Sequence, residues 1–258
     1  MTWLQLTVLA LVQGITEFLP VSSSGHLFLA SNVLGWPDQG LKIDIAVHGG
    51  TLLAVIMYFR KEIVRLLRCR EAADRRLLVL IVAATVPVGG AGFVLHATGT
   101  DMLRDPALIA WTTLGFGLLL LAADRLGGTA RPLEDLTWRS AVVIGLFQVA
   151  ALVPGTSRAG VTITAARFLG YRRADCATFS MLLSIPVIGA AVLLAAGDMA
   201  ASGDMALTRS SLVAAVLSFG AALITIRLFM AWLARASFTP FVIYRVLLAA
   251  LLLAWLYL

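Results

Sequence analysis

The sequence is dominated by long apolar runs, each close to the roughly 20 residues that a helix needs to cross the hydrocarbon core of a bilayer. Six such runs lie at about 43–59, 77–97, 107–123, 177–196, 212–234 and 240–258. With 60% hydrophobic and only 13% charged residues, the composition lies outside the range of soluble domains. The sequence therefore predicts an all-α integral membrane protein with six transmembrane helices.

Two further apolar segments, at about 3–34 and 140–169, are each interrupted near the middle by proline, glycine and polar residues. Neither half of either segment is long enough to cross a bilayer, and lipid cannot satisfy the hydrogen-bonding groups of a broken backbone. Such segments are tolerated only where protein or a water-filled cavity surrounds them. We therefore expect two re-entrant helical hairpins that turn back inside the membrane.

The two broken segments also resemble each other at an offset of 135 residues. The aligned identities are Gln13, Ser22 and Gly25 with Gln148, Ser157 and Gly160. Each broken segment is followed by three predicted spans, and because three is odd, the second copy must enter from the opposite face. We expect a single membrane domain over 1–258, built as an inverted repeat in which repeat one covers 1–125 and repeat two covers 138–258.

The orientation follows from the basic residues of the short loops. Seven arginines and lysines lie between Arg60 and Arg76, so this loop is predicted to be cytoplasmic by the positive-inside rule. Six spans threaded from there put both termini outside. The net charge of +6 then faces the anionic inner leaflet, and no nucleic-acid partner is needed to explain it.

The first break carries a dense group of reactive side chains. Gln13 and Glu17 are four residues apart and share one face of a helix, which Pro20 is expected to end. Three serines, a glycine and a histidine follow directly: Ser22, Ser23, Ser24, Gly25 and His26. A carboxylate, hydroxyls and an imidazole beside free backbone N–H groups are the components of phosphoryl or acyl transfer.

The second break contains the other unusual charge, Arg158, within the sequence VPGTSRAGVT. A charged side chain near the bilayer centre costs about 2.5 to 3.5 kcal/mol on insertion scales, so Glu17 and Arg158 are candidates for function. The alternative is a buried structural ion pair, but such a pair would not need hydroxyls and glycines on both sides. Arginine beside glycine, threonine and serine is suited to binding phosphate.

These two motifs, QGITEFLPVSSSGH over 13–26 and PGTSRAG over 154–160, resemble the signature motifs of the bacterial undecaprenyl-diphosphatase family of the bacitracin-resistance type. The resemblance extends over nearly the whole chain, including DIAVHGGTLLAV over 44–55 and FTPFVIYR over 238–245. It implies a phosphatase that removes the terminal phosphate from undecaprenyl diphosphate and so recycles the lipid carrier of peptidoglycan synthesis. It also implies the same plan of six spans and two re-entrant hairpins.

Carried over residue by residue, the motifs of the family fall on Gln13, Glu17, Ser22, Ser23, Ser24, His26 and Arg158. Of these, we expect Glu17, Ser23, His26 and Arg158 to be catalytic. Ser23 is the expected nucleophile, with His26 or Glu17 as general base, and attack by His26 itself or by a water molecule is the alternative. Substrate binding is expected from further residues of both motifs: Gln13, Ser22, Ser24, Gly25, Gly155, Thr156, Ser157 and Thr162. The sequence departs from the family at Ala159, where many members have serine.

A diphosphate brings about two to three negative charges, and Glu17 would repel it unless a divalent cation lay between them or the two shared a proton. We therefore expect dependence on Mg²⁺ or Ca²⁺, with Glu17 the only strong ligand that the sequence identifies. The expected partners are the lipid substrate and membrane lipids, with a homodimer as a further expectation. The resemblance favours the bacterial inner membrane, a site open to the periplasmic face, and an apolar groove between spans for the isoprenoid chain.

Two other function classes share features of this sequence. A transporter or flippase of polyprenyl phosphate would use the same inverted-repeat plan, and nothing in the sequence excludes it. The acid-phosphatase-like lipid phosphatases need a histidine soon after a Ser-Arg pair, and no histidine follows His96. Arg245, five residues into the last predicted span, is expected to extend to the membrane interface and to lie outside the site.

Overall fold

The computed structural model describes residues 1–32, 35–36, 40–98, 105–128, 131–201 and 208–258, with the backbone alone for 28–32. Residues 33 and 34, the end of the first predicted hairpin, lie outside the described residues. The helices are α1 (Trp3–Thr16), α2 (Ser23–Asn32), α3 (Leu41–Tyr58), α4 (Arg60–Arg68), α5 (Ala72–Thr98), α6 (Pro106–Leu126), α7 (Trp138–Val149), α8 (Arg158–Phe168), α9 (Arg173–Ala201), α10 (Arg209–Leu233) and α11 (Thr239–Tyr257). Two short 3₁₀ turns, Leu133–Asp135 and Ala150–Leu152, complete the described helical structure.

Six of these helices, α3, α5, α6, α9, α10 and α11, are long and apolar enough to cross a membrane. Each overlaps one of the six predicted runs, so the predicted all-α class with six spans is confirmed. The two longest, α5 and α9, have 27 and 29 residues and contain Pro87 and Pro186. The protein is therefore a multi-pass membrane protein.

The helices α1, α2, α7 and α8 are short, with 14, 10, 12 and 11 residues. At about 1.5 Å per residue, none of them spans a hydrocarbon core of about 30 Å alone. They form two helix-break-helix units at the two predicted broken segments. The first helix ends at Thr16, one turn earlier than the predicted end at Pro20. The re-entrant path and the inverted relation of the two halves stay predictions.

Small residues place the first helix of each unit against a long helix. A Cβ on Gly14 of α1 would lie 2.6 Å from the backbone oxygen of Ser218 on α10. A Cβ on Gly145 of α7 would also lie 2.6 Å from a backbone oxygen, that of Ala84 on α5. Because real Cβ atoms do not approach other atoms so closely, only glycine lets these helices pack at this distance. Both breaks are thus anchored to spans.

A buried charge cluster connects the second unit to three spans. The Asp124 carboxylate, near the end of α6, accepts hydrogen bonds from Arg167 Nε on α8 at 3.1 Å and from Arg173 Nε on α9 at 2.7 Å. It also accepts from the backbone N–H of Phe238, just before α11, at 3.3 Å. The Arg167 side chain is fully buried. Its other donors bind the carbonyl oxygens of Asp124, Gly127, Gly128 and Tyr171.

Asp124→Ala is expected to destabilise the fold, because it leaves Arg167 buried without its counter-charge. Removing one partner of a buried ion pair costs about 3–5 kcal/mol. The thermal unfolding temperature of the purified protein in detergent should therefore fall clearly. Glu71→Ala, at an exposed carboxylate, is the control and should leave it unchanged. Equal unfolding temperatures for the two variants would show that Asp124 does not anchor the second unit.

Candidate active site

Both breaks end in the same local structure. Ser22 and Ser157 have φ angles of 72° and 71° and directly precede α2 and α8. The Oγ of each serine accepts a hydrogen bond from the backbone N–H three residues later, that of Gly25 at 3.4 Å and that of Gly160 at 3.1 Å. A positive φ is uncommon outside glycine. Two aligned serines in this conformation show that the surrounding structure holds both breaks in a fixed shape.

Glu17, at the end of α1, is the centre of the site. Its Oε2 accepts hydrogen bonds from Gln13 Nε2 and from Ser23 Oγ, both at 2.8 Å. Its Oε1 lies 3.3 Å from Nη2 of Arg158. One carboxylate therefore joins an amide of α1, the hydroxyl at the start of α2 and the guanidinium of the second break. The structure thus brings four predicted site residues into direct contact.

Arg158 is the first residue of α8 and extends from the second break to the first. Its Nη1 donates to the carbonyl oxygen of Ser180 on α9 at 3.0 Å, and its guanidinium carbon lies 5.7 Å from the centre of the Phe18 ring. The side chain of Arg158 is 12% exposed and that of Glu17 is 8% exposed. Both charges are therefore largely removed from water. Their electrostatic interactions with a bound anion are screened less than they would be at the surface.

Arg245 on α11 joins the two breaks, a role that the sequence prediction missed. Its buried guanidinium donates to four backbone carbonyl oxygens. They are those of Pro20 at 3.3 Å, Thr113 at 3.0 Å, Gly155 at 2.9 Å and Thr156 at 3.0 Å. The expectation that Arg245 extends to the interface was therefore wrong, because broken backbone needs donors inside the protein. The signal in the sequence was that Arg245 is the sole charged residue between Ser237 and Leu258.

His26 on α2 has hydrogen-bond partners at both ring nitrogens. Its Nδ1 lies 2.7 Å from the carbonyl oxygen of Ser22. Because a carbonyl can only accept, we assign the proton to Nδ1, and Nε2 is then the acceptor of the neutral ring. Nε2 is hydrogen-bonded to the hydroxyl of Tyr244 on α11. Within the described side chains, the Ser23 hydroxyl is therefore bonded to Glu17 and not to His26.

The other predicted binding residues differ in their access to the site. Ser24 is exposed, and its Oγ lies 3.3 Å from Oγ of the buried Ser22. Thr156 Oγ1 donates to a carbonyl of its own loop at 2.8 Å, and Thr162 Oγ1 lies 2.7 Å from Oγ of Ser180. Both threonines are buried and support the second break in this conformation. Phosphate binding by these residues stays a prediction.

The site offers oxygen ligands to a divalent cation. Among the described residues, no group of three or more His, Cys, Asp or Glu side chains could hold a metal ion. The side-chain oxygen of Gln13, however, is buried without a hydrogen-bond partner, next to the Glu17 carboxylate that its amide nitrogen contacts. Mg²⁺ usually takes one or two carboxylates and completes its ligands with substrate phosphates and water. These two side chains fit such an ion when the substrate supplies further oxygens.

An apolar cleft of about 390 Å³ lies between α5 and α9. Its wall includes Leu152, the last residue of the 3₁₀ turn in the second break, and the glycines Gly89 and Gly92. His96 and Asp198, whose side chains lie 3.6 Å apart, form its polar end. The cleft therefore adjoins the second break at Leu152, and its use as the predicted groove for the isoprenoid chain stays a prediction.

Comparison with known proteins identifies the family. The chain matches the family model described as bacitracin resistance protein BacA over residues 6–251. An undecaprenyl-diphosphatase of Jannaschia sp. (strain CCS1) is 50% identical over 262 residues, which cover 98% of each chain. The undecaprenyl-diphosphatases of Hahella chejuensis and Roseobacter denitrificans are 47% and 46% identical and cover 100% of this chain and 99% and 100% of their own. The chain therefore belongs to the BacA family of bacitracin resistance proteins, as its two motifs indicated.

Proposed function

We propose that this protein hydrolyses undecaprenyl diphosphate to undecaprenyl phosphate and inorganic phosphate. The observation that carries the proposal is the Glu17 carboxylate, which contacts both the Ser23 hydroxyl and the Arg158 guanidinium. The relatives that bear the name undecaprenyl-diphosphatase match this chain over nearly its full length. Transport or flipping of a polyprenyl phosphate is not favoured, because those relatives are named as hydrolases.

In the first step, Ser23 attacks the terminal phosphorus. Glu17 accepts a hydrogen bond from the Ser23 hydroxyl at 2.8 Å, so it is placed to take the proton as the oxygen attacks. Arg158 stabilises the negative charge of the phosphoryl oxygens. The bond between phosphorus and the bridging oxygen breaks, undecaprenyl phosphate leaves as an anion, and a phosphoserine remains. Of the bases that the sequence left open, the geometry favours Glu17 for this step.

In the second step, water releases inorganic phosphate from Ser23. The water oxygen bonds to phosphorus, a base takes its proton, and Glu17 returns the first proton to the departing serine oxygen. His26 lies three residues after Ser23 on α2, a spacing that places both on one helix face. Its neutral Nε2 can accept the water proton. Direct attack on the diphosphate by His26 or by water is the alternative route.

A divalent cation is part of the proposal. Glu17 and the unpaired oxygen of Gln13 would hold it, and it would supply positive charge between Glu17 and the diphosphate. This addition is supported by the charge balance, since Arg158 alone faces about two to three negative charges on the substrate. The unpaired oxygen of Gln13 also supports it, because the same side chain contacts the Glu17 carboxylate.

We place the protein in the bacterial inner membrane, with the site open to the periplasmic face. The basic loop that contains α4 supports the orientation of the spans, because the positive-inside rule assigns that loop to the cytoplasm. The family resemblance supports the opening to the periplasmic face. We assign the isoprenoid chain to the apolar cleft between α5 and α9, because that cleft adjoins the second break at Leu152. Recycling of the lipid carrier fits the bacitracin resistance in the family's description. The homodimer stays a prediction.

Arg158→Ala and Glu17→Ala are each expected to lower turnover by about 10²–10³-fold or more, the usual loss when a preorganised charged group is removed. The measurement is phosphate release from undecaprenyl diphosphate by purified protein in detergent, where flipping between leaflets cannot occur. Arg227→Ala, at an exposed arginine of α10, is the matched control and should retain wild-type turnover. Near-normal turnover in either site variant would contradict the assignment.

A substrate labelled in its terminal phosphate distinguishes the nucleophiles. In His26→Ala, label should accumulate on Ser23, because attack is intact and release of phosphate by water is slow. Ser23→Ala should neither retain label nor turn over. Label on His26 in the Ser23→Ala protein would identify the imidazole as nucleophile. An inactive His26→Ala protein without any label would instead favour direct attack by water.

Chelation of divalent cations is expected to stop turnover, and Mg²⁺ or Ca²⁺ should restore it. Gln13→Leu should raise the metal concentration for half-maximal rate by about tenfold, the change expected for about 1.4 kcal/mol of lost binding. Gln148→Leu is the matched control, because Gln148 is the aligned glutamine and also has a buried unpaired oxygen. Full activity in excess chelator would contradict the cation proposal.

A further inference from the structure

His26 and Tyr244 form a contact at the edge of the site that the reaction steps above do not use. The Tyr244 hydroxyl is hydrogen-bonded to His26 Nε2. The two rings are also parallel within 4°, with centroids 5.6 Å apart. Tyr244 is 42% exposed, so this alignment does not result from close packing in a core. The hydroxyl of Tyr244 and Nε2 of His26 therefore meet edge to edge, and this contact fixes the imidazole against α11.

The neighbouring residue explains why Tyr244 can hold His26 in place. Arg245 follows it on α11 and binds carbonyl oxygens of both breaks, including that of Pro20 at 3.3 Å. This bond ties α11 to the chain just before α2. The phenol therefore extends from a backbone that is fixed relative to the helix carrying His26.

The hydrogen bond of Nδ1 to the Ser22 carbonyl leaves Nε2 as the acceptor, so the Tyr244 hydroxyl donates to it. We propose that Tyr244 is a positioning residue for His26. Its hydroxyl holds the ring in the orientation needed for the water step, and the attacking water then replaces that hydroxyl as the donor to Nε2. This inference rests on the role of His26 in the proposed function.

Tyr244→Phe removes the hydroxyl and retains the aromatic ring. For phosphate release from undecaprenyl diphosphate, kcat should fall about tenfold with KM unchanged, because orientation of His26 serves the chemical step and not binding. Tyr257→Phe, at an exposed tyrosine near the end of the same helix, is the control and should match wild type. An unchanged kcat in Tyr244→Phe would overturn the proposal.

The double variant separates positioning from a general structural effect. If Tyr244 acts through His26, Tyr244→Phe should cause no further loss in a His26→Ala background. Losses that add in the double variant would show that Tyr244 acts elsewhere, and would overturn the proposal.

Chemical modification tests the contact without turnover. Diethyl pyrocarbonate reacts with unprotonated imidazole nitrogens, and the chain has three histidines, His26, His48 and His96. Peptide mass spectrometry should show several-fold faster modification of His26 in Tyr244→Phe, with His48 and His96 as internal controls of equal rate. Equal rates at His26 would overturn the proposal even in an active phosphatase. If the wild-type protein showed no phosphatase activity but His26 were still modified faster in Tyr244→Phe, the contact would be supported and the proposed function contradicted.

Discussion

The backbone of the two breaks contains carbonyl groups that no helix satisfies, and the buried guanidinium of Arg245 satisfies three of them. An unpaired polar group in a lipid-like interior costs several kcal/mol. A lysine could not replace this arginine, because its donors diverge from one nitrogen, whereas the guanidinium presents five donors in a planar fork. The fourth bond, to Thr113, ties both breaks to α6. The contact of Glu17 with Arg158 depends on this arrangement, since each residue belongs to a different break.

The two units are alike at the positions that shape the break and differ at the reactive positions. The aligned glutamines are both fully buried with an unpaired side-chain oxygen, and the aligned serines both have positive φ. The reactive positions differ: the residues aligned with Glu17, Ser23 and His26 are Leu152, Arg158 and Val161. The first unit therefore carries the carboxylate, the hydroxyl and the imidazole, and the second carries the guanidinium of Arg158. Neither unit alone could both bind and cleave a diphosphate.

The sequence was sufficient to predict the transmembrane helices, because a lipid-facing helix is recognised by its apolar composition over about 20 residues. The contact of Glu17 with Arg158 was also predictable, since a charge in an apolar segment needs a partner. Arg245 was misjudged because its position in the sequence gives its distance from the span end but not the helix face it occupies. That face is set by packing of α11 against α6. The Asp124 cluster was missed because its arginines lie 43 and 49 residues away, near span ends where charges are ordinary.

The ion pair between Glu17 and Arg158 is better understood as the resting state of a site than as a stabilising contact. A buried pair gains little over apolar residues, because the cost of desolvation offsets the attraction. Here the carboxylate also accepts hydrogen bonds from Gln13 and Ser23. When a diphosphate binds the Arg158 guanidinium, Glu17 still accepts the hydrogen bonds from Gln13 and Ser23. In the proposed mechanism, the carboxylate therefore stays beside the hydroxyl that it deprotonates, and binding of the substrate does not separate the nucleophile from its base.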